Sequence, residues 1–315
     1  MTAAHSGLLD TLFTGCFGAE SEEYGSLILQ MYGASICGVG TQLKEPKAFI
    51  LYGQSAANGK STIQEVLRRI LPHDVICSIS PGDMDKEQYL AKLIGASANL
   101  SDELSSAAAI SSDKFKAVIT GDPVTAKIIY KEPMEFKPRA MHILSTNVLP
   151  SFKGGIDAGI ERRLLVIPFN RSIPVEERIS DFETKLMREQ GAILISEAIR
   201  EAATALKNGR YSIPASCQEA TTQWMKEADT LGSWLEDGGL KTAVPRHEAK
   251  LFNEVYIHFR KDMDEMGIKY VPGLLKFNSK VRGFIANDPS WEEVRHADWR
   301  KIQRSNLVTR MTGNS

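Results

Sequence analysis

The chain has 315 residues, 43% of them hydrophobic and 24% charged, with a net charge of −1; this length implies more than one hydrophobic core, and the ordinary composition excludes a disordered or low-complexity protein. Cys16, Cys37, Cys77 and Cys217 lie far apart with no Cys-x-x-Cys pair, which excludes a disulfide framework and a zinc finger and fits a reducing compartment. No apolar run approaches the roughly 20 residues of a membrane span, and no charged-then-apolar leader opens the chain, so a cytoplasmic, non-membrane protein is expected.

Residues 8–36 read as short helices, with Leu9, Leu12 and Phe13, then Leu27, Leu29 and Tyr32, giving apolar faces. Short apolar runs bounded by turns follow at 48–52, 74–79, 97–101, 139–146 and 163–169 and read as buried strands. Between the first two, Ile63, Val66, Leu67, Ile70 and Leu71 share one face of a helix over Lys60–Leu71, which Pro72 closes. Strands alternating with helices predict an α/β layer.

Residues 175–228 read as wholly helical, with a stop signal at Gly209, and suit a helical lid. A third unit begins near Leu231, with helices over 248–266 and 273–286, a turn marked by Gly267, Pro272 and Gly273, and an aromatic, basic stretch at 291–304. From Lys269 to Arg310, nine Lys/Arg stand against four Asp/Glu. That excess suits a polyanion partner; the alternative is a solvated basic face.

The chemistry concentrates around GQSAANGKST, residues 53–62. A phosphate cradle needs a strand ending in a Gly-rich turn, inward backbone N–H groups, a Lys on the β/γ-phosphates and a hydroxyl on Mg²⁺. The strand AFILY runs into Gly53; Asn58 and Gly59 close the turn, Lys60 follows, Ser61 supplies the metal hydroxyl, and Thr62 lies in the first turn of the helix. Five residues separate Gly53 from Gly59, where the usual motif has four, so Gly59, Lys60 and Ser61 are the firm contacts and Gly53 the looser one. ATP and Mg²⁺ are the expected ligands.

Such a site also needs a carboxylate for the metal and one to activate water, at the end of a buried strand. The segment ANLSDEL offers Asp102 for the metal and Glu103 as the base. The run HILSTN ends at Asn147, placed to sense a γ-phosphate; Asn is also at home in a plain turn. Arg162 and Arg163 precede an apolar strand, where one of them would serve as an arginine finger from a neighbouring subunit; a solvated surface pair is the alternative.

This ordered set resembles the superfamily 3 helicases, and within them the poxvirus-type and phage/plasmid primase-helicases. The matching stretches are KAFILYG with NGKST, NLSDEL, KAVITGDPVTAKIIYKEPMEFKPRA, HILSTNVLP and GIERRLLVIPF, spanning Lys47 to Phe169. The preface GLLDTLFTGCFG is similar to the helical lead-in of that family. The resemblance implies an AAA+-type P-loop NTPase core with helical N-terminal preface and helical lid, assembled as a ring, usually a hexamer. It implies 3′–5′ translocation on single-stranded DNA in phage or plasmid replication, inside a bacterial host. Arg163 fits the family pattern slightly better than Arg162 as the finger.

In the third motif, VTAKIIYKE between Gly121-Asp122-Pro123 and Pro133 suits a hairpin, which in the family points into the ring channel. Lys127 and Lys131 would then meet phosphates and Tyr130 would stack on a base or pack the hairpin; the alternative is an ordinary edge hairpin. The C-terminal unit looks like a winged-helix domain whose second helix carries Lys276, Lys280 and Arg282 toward duplex or origin DNA, or as a solvated face. Trp291 and Trp299 suit a core as well as base stacking.

The expected divisions are 1–45 (helical segment), 46–172 (motor core), 173–230 (lid) and 231–315 (winged-helix-like DNA-binding domain). With no primase signature in the residues before the core, a primase is expected on a separate chain or in a removed domain. Two rival functions remain: a nucleotide-dependent origin-binding or loading protein with little unwinding activity, and a small-molecule P-loop kinase whose paired arginines clamp phosphates in cis.

Overall fold

A computed structural model describes residues 7–102, 110–128, 130–149, 152, 157–268, 271–296 and 299–304. The chain divides into two compact units, one of residues 1–151 and 157–224, the other of 152–156 and 225–315.

The first unit is built on a five-stranded parallel sheet. Its strands are β1 (Ala48–Tyr52), β2 (Ile76–Cys77), β3 (Ala98–Ser101), β6 (Met141–Thr146) and β7 (Leu164–Pro168), ordered β2-β3-β6-β1-β7. Residues Ala48 to Leu51 of β1 are all fully buried. A strand covered on both faces reads as an unbroken apolar run, which is why the sequence marks these strands so clearly.

β2 is much shorter than the predicted 74–79, and a side chain explains it. Asn99 of β3 accepts from the Ile79 N–H at 2.7 Å and donates to the Ile79 carbonyl at 2.9 Å, replacing the ladder with its own amide. Side-chain pairing of this kind competes directly with sheet extension.

Helices α1 (Leu8–Phe17), α2 (Ser21–Ile36), α3 (Lys60–Ile70) and α7 (Phe182–Asn208) share one hydrophobic core with the sheet. α2 and α7 cross at small residues: a Cβ on Gly33 would lie 1.9 Å from the Ala198 carbonyl oxygen. The predicted continuous helix over 175–228 is broken. A 3₁₀ turn occupies Val175–Glu177, α7 ends at Gly209 in the left-handed region (φ 72°), and α8 (Ala215–Ala228) starts after Pro214. Glycine stops the first helix and proline sets the start of the next.

Between β3 and β6 lie α4 (Glu87–Leu90), α5 (Ser112–Thr120) and a hairpin of β4 (Val124–Ala126) with β5 (Met134–Phe136). The short α6 (Ala158–Glu161) leads into β7.

The second unit runs α9 (Thr230–Glu236), α10 (Gly239–Ala243), β8 (Ala249–Leu251), α11 (Phe252–Glu265), α12 (Leu274–Asn287), β9 (Trp291–His296) and β10 (Trp299–Arg304). Its sheet is antiparallel, ordered β8-β10-β9. The core gathers Trp234, Phe259, Phe277 and Trp291, with the Phe259 and Phe277 rings 5.4 Å apart. On α12, Phe277, Val281 and Ile285 form the inward stripe at four-residue spacing.

Candidate functional site

The carboxyl ends of β1, β3 and β6 converge on one cleft of about 480 Å³, lined by Gln54, Asn58, Lys60, Ser61, Asp102 and Asn147 among others. Crevices at the carboxyl ends of parallel strands are where open α/β sheets take their ligands. Segments 53–61, 102 and 147 thus meet although up to 94 positions separate them in sequence.

The turn after β1 is shaped by contact. A Cβ on Gly53 would sit 2.5 Å from Asn58 Nδ2 and 2.7 Å from the Phe169 carbonyl. The close approach of these groups therefore requires glycine at position 53, a steric demand the spacing alone did not reveal. The additional residue is absorbed by Ala57, which adopts φ 54°, while buried Asn58 ties the turn together by donating to the Ser55 carbonyl at 2.7 Å. Gly59 has φ 91°, and a Cβ there would meet Cys16 Sγ of α1 at 2.3 Å.

α3, 11 residues long, starts at Lys60 with no side-chain cap from Gly59; the Lys60 N–H donates to Asn58 Oδ1 at 3.5 Å, and Lys60 and Ser61 of this N-terminal turn, the anion-attracting end of a helix, line the cleft. The Lys60 side chain is buried. Its Nζ donates to the Gly53 carbonyl at 2.6 Å and to Asn147 Oδ1 at 3.0 Å, and burial lowers its pKa. With Asn147 Oδ1 turned to the lysine, the amide nitrogen remains as a donor.

Ser61 is exposed on the cleft, while Thr62 lines a second cavity of about 560 Å³ bordered by Leu12, Ile173 and Phe182. Both oxygens of Asp102 are engaged by Arg68 of α3, at 2.9 Å each. Glu103 lies outside the described residues. Among the described residues no group of three or more His, Cys, Asp or Glu is placed to hold a metal. The donors present among the described residues, one hydroxyl and one carboxylate beside the glycine turn, fit Mg²⁺, which completes its shell with water and phosphate oxygens rather than a protein cage.

Arg162 and Arg163 stand at the other end of the sheet. The Arg163 carbonyl accepts from Ala48 N at 2.8 Å, at the start of β1, whereas the cleft opens past its end at Tyr52. Five strand residues separate the two by about 16 Å, beyond a side chain's reach. Arg163 is half-buried, donates through Nη1 to the Gly159 carbonyl at 2.7 Å, and has its pKa lowered by burial, then by Arg162. Arg162 is exposed; its carbonyl accepts from Lys47 Nζ at 2.6 Å, and its guanidinium makes no hydrogen bond or ion pair among the described residues.

The hairpin carries Lys127, Tyr130 and Lys131 at its tip, all exposed. Tyr130 is fully exposed and adopts φ 63°, a left-handed conformation uncommon for a bulky residue. On α12, Lys280 pairs with Asp229, and Arg282 pairs with Glu293 at 3.2 Å while lying over the Phe252 ring. Lys276 is half-buried on the same helix. Trp291 is buried in the core.

Sequence reasoning missed Cys16 and Arg68. Arg68 lies outside the matching stretches and Cys16 lies in the helical lead-in with no role read for it, and each meets the site through a contact between distant segments.

Residues 51–163 match a family described as a family of unknown function, DUF5906. A protein of Acanthamoeba polyphaga mimivirus named "Putative helicase" is 34% identical over 165 residues, which is 50% of this chain and 16% of the relative. The chain thus spans about a sixth of that relative's length. Among solved structures, the apo C-terminal region of NrS-1 superposes with a TM-score of 0.51 at 14% identity, over 95% of this chain and 75% of that one. The JCV helicase gives 0.37 at 14% identity, over 73% of this chain and 65% of that one, too distant to argue from. At such identity the NrS-1 likeness is one of fold alone. No helix among the described residues is long and apolar enough to cross a membrane. The chain is a mixed α/β protein with a central parallel sheet, and it has a helicase-like relative.

Proposed function

We propose that this chain is an ATP-dependent DNA helicase motor of the superfamily 3 type, with an AAA+-type P-loop core, working as a ring, in the hexameric form expected for the family, on single-stranded DNA. The carrying observation is the cleft that unites the glycine turn, Lys60, Ser61, Asp102 and Asn147 at the carboxyl ends of three strands. In this reading Gly53, Asn58, Gly59, Lys60 and Thr62 hold the nucleotide, Asn147 senses its terminal phosphate, and Glu103 orients water. Mg²⁺, held by Ser61 and Asp102, would neutralise charge on the phosphates.

The separation of the arginines from their own cleft supports action on a neighbouring subunit and counts against the in-cis clamp of a small kinase. Arg162, with a pinned backbone and a guanidinium that makes no bond among the described residues, is the better finger; Arg163 positions the turn that carries it. Lys127, Tyr130 and Lys131 would grip the strand in the channel, by phosphate attraction and stacking. Phage or plasmid replication in a host cytoplasm, 3′–5′ polarity, residues 173–230 as a lid over the core, and a primase on another polypeptide belong to the same proposal.

Single-stranded DNA should stimulate ATP hydrolysis, and Lys60→Ala should abolish it. Hydrolysis indifferent to every single-stranded DNA tried would remove the translocase. A second reading, a nucleotide-dependent loading protein, is favoured by the helix–strand order of the second unit, which suits a winged helix presenting Lys276, Lys280 and Arg282 of α12 to duplex DNA. Duplex binding without unwinding of a forked substrate would select it.

A further inference from the structure

Arg68 lies in the last turn of α3, eight residues beyond Lys60, outside every motif. Its neighbour Arg69 makes an ordinary surface pair with Glu65, one turn back on the same helix. Arg68 instead leaves its helix and grips both oxygens of Asp102, 34 residues further along the chain. Asp102 is the one carboxylate among the described residues lining the cleft. Among the described residues, the cleft's one negative side chain is therefore already paired with a cation.

One nitrogen of the guanidinium, Nη2, donates to both oxygens in a charge-assisted contact, and a hard divalent cation seeks the same oxygens. The two cations compete, and their mutual repulsion makes joint occupancy unfavourable at contact distance. The pair is partly exposed, with side-chain accessibilities of 29% for Arg68 and 65% for Asp102. It is consequently weak enough to exchange rather than lock the site.

We propose that Arg68 is a counter-ion gate for the metal site: it occupies Asp102 in the nucleotide-free chain, so a divalent cation binds well only when a nucleotide brings phosphate oxygens as further ligands. This inference rests on the nucleotide-cradle reading above. It orders the assembly of the site, with metal entering together with nucleotide instead of ahead of it. A merely supportive arginine would have the opposite signature, since removing a hydrogen-bond partner that orients a metal-binding carboxylate lowers metal affinity, by roughly 10- to 100-fold.

The sign of the change decides between them. Mn²⁺ serves as the probe, with free ion measured by electron paramagnetic resonance. The full chain, Arg68→Gln and Arg68→Lys are titrated with and without a non-hydrolysable ATP analogue, and folding is checked by circular dichroism. Arg68→Gln is expected to bind Mn²⁺ about three- to tenfold more tightly than the unaltered chain. Arg68→Lys, which keeps the charge on a shorter and more strongly hydrated head group, should fall between. Unchanged or weaker Mn²⁺ binding in folded Arg68→Gln overturns the gate. Nucleotide binding is followed separately in EDTA with a fluorescent ATP analogue: a chain that binds none overturns the cradle and the gate together, while normal binding with unaltered Mn²⁺ affinity overturns the gate alone.

Discussion

Gly59→Ala perturbs the cradle through two separable terms. The backbone sits at φ 91°, and holding a non-glycine residue in such a conformation costs about 1–3 kcal/mol. The new methyl also meets Cys16 Sγ at 2.3 Å, an overlap that costs about 1–3 kcal/mol once neighbours shift. Together the substitution should destabilise the first unit by about 2–6 kcal/mol and weaken nucleotide binding with it. Cys16→Ala removes the sulfur and leaves the Cys16 Cβ at 3.7 Å, an ordinary contact. The double variant should recover the steric part, about 1–3 kcal/mol, but not the backbone part. Urea unfolding of the four proteins of the cycle, with binding of a fluorescent ATP analogue, measures both. A coupling energy below about 0.5 kcal/mol, the scatter expected of independent sites, would refute the packing of α1 against the Gly59 turn.

Arg162→Ala should reduce hydrolysis by about 10³-fold or more while leaving the melting temperature unchanged, whereas Arg163→Ala should also lower stability by about 1.5–3 kcal/mol through loss of its bond to Gly159; wild-type turnover in Arg162→Ala would reassign the finger. Burial holds the His142 pKa down at about 3 against an ordinary 6.5. Its contribution is therefore complete above pH 6.5 and is lost as pH falls from there toward 3, by at most about 1.4 kcal/mol per pH unit. Urea midpoints between pH 7 and 4 should fall less steeply for His142→Gln than for the unaltered chain, and equal slopes would contradict this. Replacing Lys127, Tyr130 and Lys131 together by Ala should weaken single-stranded DNA binding and flatten its salt dependence without altering basal hydrolysis; unchanged DNA affinity would remove the hairpin from the interface.

The strands were legible because burial on both faces writes a continuous apolar run, as in AFILY and RLLVIPF. The strand, turn and helix around Lys60 were legible because their signals are local: a strand end, a glycine turn and a helix start within about ten residues. What escaped depends on contacts between distant segments. The need for Gly53 comes from Asn58 and Phe169, and that for Gly59 in part from Cys16. Asn99 truncates β2 with a side chain that looks unremarkable in an apolar run. The partner of Asp102 could not be read at all, since a half-buried arginine two turns along a helix has many candidate partners and only the fold selects one. The break after Gly209 was partly legible, from the glycine itself, yet the helical periodicity on either side obscured it.

The central claim is that this turn binds the phosphates of ATP and that its hydrolysis is coupled to single-stranded DNA. The most direct test is steady-state ATP hydrolysis by the unaltered chain and by Lys60→Ala, each with and without single-stranded DNA. Hydrolysis that rises with DNA and vanishes in Lys60→Ala is the predicted result; hydrolysis absent from the unaltered chain under all conditions, or undiminished in Lys60→Ala, would contradict it.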